Sequence, residues 1–118
     1  MAATVLLVDY DPRSAERLRK VLAGVGMDTL VATDGRAGVE EFRRALPQLT
    51  LVQDLMPRLH GFDVCREIKG TEEGRSRAVV LLASRVSHAT LVRTGCDAYL
   101  QKPFVDESLL ELIRHFVR

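Results

Sequence analysis

The chain has 118 residues, a length that fits one domain and leaves no room for two. Its 17 basic residues almost balance its 16 acidic ones, so charge gives the chain no general attraction to nucleic acid or to an anionic membrane. The longest apolar run, 78–83, cannot span a bilayer, and the apolar run at the start is too short for a signal peptide. We therefore expect a cytoplasmic domain.

The first half of the chain alternates apolar strands with helices. The strands are continuous apolar runs, as expected for strands that are buried on both faces. The helices show apolar residues at helical spacing and begin at capping residues. In order, the predicted elements are a strand at 5–8, a helix from Asp11-Pro12 to Gly24 or Gly26, a strand at about 29–32, a helix from Asp34-Gly35 to Pro47, and a strand at 49–53.

The second half continues the alternation. A polar loop at 71–77 separates the third helix from the fourth strand, and Asp106 is the predicted N-cap of the last helix. In order, the predicted elements are a helix at 62–69, a strand at 78–83, a short helix within 87–94, a strand at 98–101 and the last helix.

Five strands that alternate with five helices predict a doubly wound α/β domain, in which helices cover both faces of a five-stranded parallel sheet. In open sheets of this kind a site forms at the carboxyl ends of the strands, near the switch in strand order. Four short segments follow strands and are the ones to examine: Asp9-Tyr10-Asp11, Gln53-Asp54, Ala83-Ser84 and Lys102-Pro103.

These segments carry a resemblance to a known family. The chain resembles the CheY-like receiver domains of bacterial response regulators over essentially its whole length. The matching stretches are LLVDYDP at the first strand, P-x-L-x-L-V-x-x-L-M-P-x-x-x-G around the third, VVLLAS at the fourth and DAYLQKPF at the fifth. The resemblance implies the flavodoxin-like strand order 2-1-3-4-5.

In a working member, the resemblance implies a phosphoryl-accepting pocket. Two acidic residues after the first strand and an aspartate at the end of the third bind Mg²⁺, and that aspartate attacks the phosphoryl donor. A lysine after the fifth strand and a hydroxyl after the fourth hold the phosphoryl oxygens.

Two of these positions fall at the end of the first predicted strand. Asp9 takes the first acidic position and is a weak candidate metal ligand. Tyr10 takes the second, where the family usually has a carboxylate. Asp11 lies one step further and is better explained as the N-cap before Pro12.

The phosphoacceptor position falls on Gln53, because the flanking Pro47 and Met56-Pro57 lie at the family's usual distances. An amide cannot form an acyl phosphate. Asp54 is the next residue, and because successive strand side chains point to opposite sides, we expect it to point away from the pocket. Phosphorylation of Asp54 stays open as an alternative.

The remaining positions are partly kept. Ala83 replaces the hydroxyl residue after the fourth strand, whereas Lys102 retains the lysine, and the resemblance implies a cis peptide bond before Pro103. A pocket with only Asp9 and Lys102 charged would be neutral, so we expect Mg²⁺ binding to be lost or weak. We further expect Asp9 and Lys102 to pair directly or through water, and Tyr10 to fill the vacated volume.

The same resemblance points to an interaction surface. The segment around the fourth helix is about three residues shorter than is typical, so this helix should be short or distorted. Tyr99 matches the aromatic residue that reports the switch state in the family, and Leu112 and Phe116 lie on the last helix. Homodimers through the face of the fourth helix, fifth strand and last helix are one expected mode of assembly.

We therefore expect a degenerate receiver domain, not an enzyme, that signals by contact with other signalling proteins or a fused effector domain. It should not bind nucleic acid or membranes directly, and it should need no cofactor. Three alternatives remain: phosphoryl transfer to Asp54, small-ligand sensing at the remodelled pocket, and a purely structural dimerisation module. Cys65 and Cys96 are expected to be free, partly buried thiols without a redox role.

Overall fold

The computed structural model describes residues 3–117. Strands and helices alternate through this range, as the sequence predicts. In chain order the elements are β1 (Ala3–Val8), α1 (Pro12–Ala23), β2 (Met27–Ala32), α2 (Gly35–Ala45), β3 (Leu49–Gln53), α3 (Gly61–Lys69), α4 (Glu72–Arg75), β4 (Ala78–Ala83), α5 (His88–Thr94), β5 (Ala98–Gln101) and α6 (Asp106–Phe116).

The five strands form one parallel sheet in the order β2-β1-β3-β4-β5. This confirms the predicted doubly wound architecture and its strand order. The central strands β1, β3 and β4 consist largely of buried, apolar residues because helices cover both sheet faces and leave no solvated side. None of the helices in residues 3–117 is long and apolar enough to cross a membrane.

Alternate strand residues build two separate cores. Leu6 and Val8 of β1 point into a core that α2, α3 and α5 cover, whereas Val5 and Leu7 point into a core that α1 and α6 cover. The two-residue period of a strand sends neighbours to opposite faces, so each helix layer packs on its own set of strand side chains.

Two local predictions differ from the structure. The predicted polar loop contains the one-turn helix α4, which Thr71 caps by accepting a hydrogen bond from the Gly74 amide at 3.0 Å. The predicted N-cap Asp106 is instead the first residue of α6, after Val105, and its carboxylate pairs with Arg17. An arginine across the α1–α6 groove offers that carboxylate a charged partner in place of the helix amides.

Helix α5 is short, as predicted. It spans seven residues, from a capping box between Ser87 and Thr90 to Gly95. Gly95 has a φ of 72°, a left-handed conformation that favours glycine and ends the helix.

Candidate functional site

Four loops meet at the carboxyl edge of the sheet and bring the predicted pocket residues together. Asp9 directly follows β1, Gln53 is the last residue of the neighbouring strand β3, and Lys102 directly follows β5. Asp9 and Gln53 are buried, with 2% and 6% of their surfaces exposed. Buried polar groups need partners, so their hydrogen bonds define the pocket.

Gln53 joins the other two side chains into one chain of hydrogen bonds. Its Oε1 accepts from Lys102 Nζ at 2.8 Å, and its Nε2 donates to Asp9 Oδ2 at 3.3 Å. Lysine can only donate and a carboxylate can only accept, and the amide satisfies both neighbours because it carries an acceptor oxygen and a donor nitrogen. We expected Asp9 and Lys102 to pair directly or through water; the direct form is wrong, because the Gln53 amide bridges the two charges.

Asp54 also faces Lys102. Its Oδ1 lies 2.8 Å from Lys102 Nζ and accepts the Leu55 amide at 2.9 Å, and its Oδ2 accepts the Ser84 amide at 3.2 Å. The expectation that Asp54 points away from the pocket is therefore wrong. β3 ends at Gln53, and the strict alternation of side chains ends with the strand, so the following turn brings Asp54 back towards the same lysine.

These contacts fix the charge state of Asp54. Burial raises the pKa of its carboxyl, but the hydrogen bond and charge of Lys102 and the amides of Ser84 and Leu55 together outweigh burial and lower the pKa. The carboxylate is therefore ionised at neutral pH. The cluster of Asp9, Asp54 and Lys102 then carries a formal net charge of −1, whereas the sequence interpretation counted it as neutral by leaving Asp54 out.

Tyr10 and Ala83 complete the changed positions. Tyr10 is 53% exposed and lines the mouth of the pocket, so the prediction that it fills the vacated volume is wrong. The backbone turns outwards there to place Asp11 as the N-cap of α1, a predicted role that is confirmed by its hydrogen bond from the Arg13 amide at 3.0 Å. Ala83 is fully buried at the end of β4 and offers no hydroxyl.

Two adjoining clefts open at this edge. The first has a volume of about 150 Å³ and is lined by Asp9, Tyr10, Asp11, Ser14, Gln53, Leu55 and Lys102. The second, of about 490 Å³, shares Ser14, Gln53 and Lys102 with the first and is bounded by Pro103 and Phe104. The peptide bond before Pro103 is cis, as the resemblance implies. Asp54 lines neither cleft.

The donor set does not fit a resident Mg²⁺ ion. Between residues 3 and 117 the structure has no group of three or more His, Cys, Asp or Glu side chains arranged to hold a metal. Asp9 Oδ1 accepts the Asp11 amide at 3.0 Å and its Oδ2 accepts Gln53, while Asp11 is committed to the helix cap. Mg²⁺ prefers several oxygen ligands with near-octahedral geometry. In this cleft both oxygens of Asp9 are engaged, and Asp11 uses its Oδ1 to cap α1.

The three predicted interface residues lie on two sides of the edge strand β5. Tyr99 is 37% exposed and pairs in register with Leu81, a member of the core under α2, α3 and α5. Leu112 and Phe116 of α6 pack partly buried against the opposite core.

Sequence reasoning missed two features. The contact between Asp54 and Lys102 was hidden by the alternation argument. The burial of Cys65 and Cys96 in the same core cluster leaves no signal in their spacing along the chain.

The sheet order and the polar pocket at its carboxyl edge define a CheY-like α/β signalling domain. Comparison with known families identifies it further: the model of the response regulator receiver domain matches residues 5–114. The chain therefore belongs to the response regulator receiver family.

Similar proteins support this assignment. The chain is 33% identical over its whole length to the DNA-binding response regulator MtrA of Mycolicibacterium smegmatis, of which it covers 52%. It is 36% identical to the response regulator MprA of Mycobacterium leprae, over 97% of this chain and 50% of that protein. The chain thus spans about half the length of the curated relatives that it matches.

Solved structures show the same fold. The signal receiver domain of a histidine kinase from Syntrophus aciditrophicus is 29% identical, with a TM-score of 0.90 over 98% of this chain and 90% of that one. The receiver domain of a sensor histidine kinase from Pseudomonas aeruginosa PAO1 has a TM-score of 0.89 at 24% identity, over 98% of each chain, and its structure contains a magnesium ion in the active-site cleft.

Proposed function

We propose that this receiver domain passes signals by protein–protein contact without accepting a phosphoryl group. The observation that carries the proposal is the hydrogen-bonded chain Asp9–Gln53–Lys102, in which an amide stands at the end of β3. Phosphoryl transfer to a receiver needs a carboxylate nucleophile, and an amide has neither the charge nor the free oxygen for it. The domain acts as a signalling module rather than as an enzyme.

Asp54 supports the same proposal. Its carboxylate accepts hydrogen bonds from Lys102 and from the Ser84 amide. An incoming phosphoryl group would have to bind the same two donors. Electrostatic stabilisation of a transferring phosphoryl group depends on donors that are free to face it. Since Asp54 is 8% exposed and lines neither cleft, a phosphoryl donor has little access to it.

The proposal includes weak or absent Mg²⁺ binding and no other cofactor. The engaged oxygens of Asp9 and the phenol of Tyr10 replace the carboxylate pair that a hard cation would prefer. Asp9 remains the one candidate ligand, and it would have to release Gln53 to serve.

The proposed partners are other signalling proteins or an effector domain on the same chain. The curated relatives are about twice as long and include DNA-binding regulators, which is consistent with a regulatory domain in a larger protein. Contact with nucleic acid would then belong to another domain, because the net charge here is only +1. A cytoplasmic location and homodimers through the α5–β5–α6 face remain predictions.

Mass spectrometry after incubation with phosphoramidate and Mg²⁺ tests the proposal. We expect no phosphoryl adduct on the wild-type domain. A stoichiometric adduct that disappears in the Asp54→Asn variant would overturn the proposal, and a receiver domain that retains its acceptor aspartate serves as the positive control.

Phosphorylation of Asp54 is the second candidate, and one contact favours it. A carboxylate that lies 2.8 Å from Lys102 Nζ at the carboxyl edge of the sheet has the lysine partner that a phosphoacceptor needs. The same mass measurement separates the two functions. Small-ligand sensing remains a prediction. The cleft over Asp9 and Tyr10, at about 150 Å³, is smaller than the roughly 300 Å³ at which ligand pockets begin, whereas the adjoining cleft, at about 490 Å³, is larger.

A further inference from the structure

A third cleft, of about 470 Å³, opens where α3 and α5 lie side by side. Its volume falls within the range of roughly 300–1,000 Å³ that is typical of small-molecule pockets. None of its lining residues lines either cleft at the carboxyl edge, so it is separate from the pocket around Gln53. The lining residues are His60, Phe62, Asp63, Arg66, Arg93 and Thr94.

Positive charge is in excess in this cleft. Arg66 of α3 and Arg93 of α5 line it, against a single carboxylate, that of Asp63. Asp63 Oδ1 lies 3.5 Å from Arg66 Nη1 and both side chains are exposed, so this ion pair is weak. Among the ion pairs within residues 3–117, none involves Arg93. The cleft therefore offers one guanidinium without an ionic partner and a second with a weak one.

His60 adds a hydrogen-bond donor. As the N-cap of α3, its Nδ1 accepts the Phe62 amide at 3.3 Å. An imidazole nitrogen that accepts an N–H carries no proton, so the proton of the neutral ring is on Nε2. The Phe62 ring packs edge-on against the imidazole, with ring centroids 5.0 Å apart, and limits its rotation. Nε2–H is thus the group that His60 can offer to a ligand.

This set of donors matches a phosphate monoester better than a carboxylate. Guanidinium groups bind phosphate oxygens through two parallel hydrogen bonds. A phosphate monoester has three terminal oxygens and a charge of about −1.5 to −2 at pH 7, which two arginines and an imidazole N–H can satisfy together. A carboxylate has fewer oxygens and less charge, and it would leave one of the three donors unused. The partly buried Phe62 gives the organic part of the ligand an apolar wall.

We propose that the α3–α5 cleft binds a small phosphate monoester. Arg66, Arg93 and His60 contact the phosphate, and Phe62 contacts the organic group. Because the two arginines belong to different helices, the bound phosphate joins α3 to α5. The cleft would give the domain a ligand input that does not depend on the chemistry of the carboxyl-edge pocket.

A titration of the wild-type domain with phenyl phosphate, followed by backbone amide NMR, tests the site. Phenyl phosphate carries the phosphate and one flat ring, inorganic phosphate lacks the ring, phenol lacks the anion, and benzoate replaces the phosphate with a carboxylate. We expect saturable shifts with phenyl phosphate at Arg66, Arg93 and Thr94. Inorganic phosphate and benzoate should bind more weakly, and phenol should cause no saturable shift.

Two variants should change the affinity for phenyl phosphate in opposite directions. Arg93→Gln should raise the Kd about tenfold or more, because it removes hydrogen bonds between charged groups. Asp63→Asn should lower the Kd about twofold to fivefold, because it removes a competing carboxylate at an exposed position. Arg43→Gln, on an exposed arginine of α2 outside the cleft, is the matched control and should leave the Kd unchanged.

The location of the shifts distinguishes this cleft from the carboxyl-edge pocket. The absence of saturable shifts, equal affinity for phenyl phosphate and benzoate, or an unchanged Kd in Arg93→Gln would overturn the phosphate site and leave the proposed function standing. Shifts centred on Asp9, Gln53 and Lys102 instead would contradict both. The amide spectrum of each variant shows whether it is folded, and the wild-type titration decides the proposal even if a variant is not.

Discussion

Gln53 is the residue on which the pocket depends. Its amide accepts from Lys102 and donates to Asp9, so it keeps a cation and an anion apart and satisfies both. A carboxylate of the same length would lose the donor and place two negative oxygens together. Because that repulsion is costly in a buried site, an isosteric substitution tests the role of the Gln53 amide.

Gln53→Glu should destabilise the domain at neutral pH. The new oxygen would lie about where Nε2 now lies, 3.3 Å from Asp9 Oδ2. We expect the free energy of unfolding in urea to fall by about 1–3 kcal/mol at pH 7, the cost of an unsatisfied buried polar group, and to recover as pH falls and one carboxyl takes a proton. Gln101→Glu, on an exposed residue of β5, is the matched control.

The same variant tests the loss of metal binding. Two adjacent carboxylates suit a divalent cation, so millimolar Mg²⁺ should raise the stability of Gln53→Glu and leave the wild type unchanged. Equal stability of wild type and Gln53→Glu at pH 7, with no Mg²⁺ response in either, would contradict the assigned role of the amide.

The lowered pKa of Asp54 links the stability of the folded domain to pH. An ionised carboxylate that is preferred in the folded state stabilises the domain above the unfolded-state pKa of about 4, and this stabilisation is lost as pH falls through the lower folded-state pKa. Asp54→Asn should lower the free energy of unfolding by about 1.5–3 kcal/mol at pH 7, the range for hydrogen bonds to charged groups.

The difference in free energy of unfolding between wild type and Asp54→Asn should then shrink below about pH 4. Urea unfolding across a pH series measures it. Asp28→Asn, at an exposed position of β2, should show a difference of less than about 0.5 kcal/mol throughout. An Asp54→Asn difference that does not change with pH would show that the Lys102–Asp54 contact does not depend on charge.

At the scale of elements, the loop between β3 and α3 holds the site in place. Gly61 begins α3, and a Cβ there would lie 2.0 Å from the backbone oxygen of Gln53. The Gly61 amide also donates to the Asp54 carbonyl at 2.9 Å. The close approach of helix and strand end therefore requires glycine, and it fixes the direction in which Gln53 and Asp54 leave the strand.

Gly61→Ala should displace the end of β3. We expect the free energy of unfolding to fall by about 2–3 kcal/mol, at the upper end of the range for overpacking, because backbone atoms rather than a flexible side chain must move. Chemical shifts of Gln53 and Asp54 should change with it. Gly24→Ala is the control, since its φ of −61° is helical and its nearest atom is 3.3 Å away; equal costs for both variants would contradict the role of Gly61.

The predicted elements show where sequence reasoning succeeds. Strands β3, β4 and β5 have the predicted bounds. For β3 and β4 the reason is that runs buried on both faces leave little freedom. The α4 turn and the start of α6 were misjudged, since a cap at Thr71 and an ion pair between Arg17 and Asp106 depend on local and tertiary contacts that periodicity does not report.

At the scale of the whole molecule, the fold was predictable and the site was predictable in part. Asp9, Gln53 and Lys102 meet because parallel strands end at one edge of a sheet. The contact of Asp54 with the same lysine was not predictable from alternation, since it arises in the turn after β3. That Cys65 and Cys96 belong to one core cluster follows from tertiary packing, which the sequence pattern does not report.

The whole domain should not change its conformation in response to a phosphoryl group. A working receiver would couple occupation of its pocket to the surface around β5, where Tyr99 lies. Such coupling requires a second conformation that the bound group favours. Because Gln53 and Asp54 already accept hydrogen bonds from Lys102, we expect that a phosphoryl group does not displace them.

The most direct test is a titration of the domain with Mg²⁺ and beryllofluoride, a phosphoryl mimic, followed by backbone amide NMR. The account predicts no saturable shifts at Asp9, Gln53 or Lys102 and no change at Tyr99. Saturable shifts at the pocket residues that spread to Tyr99 would contradict it, and would mean that the domain still responds to phosphorylation, with Asp54 as the acceptor to examine.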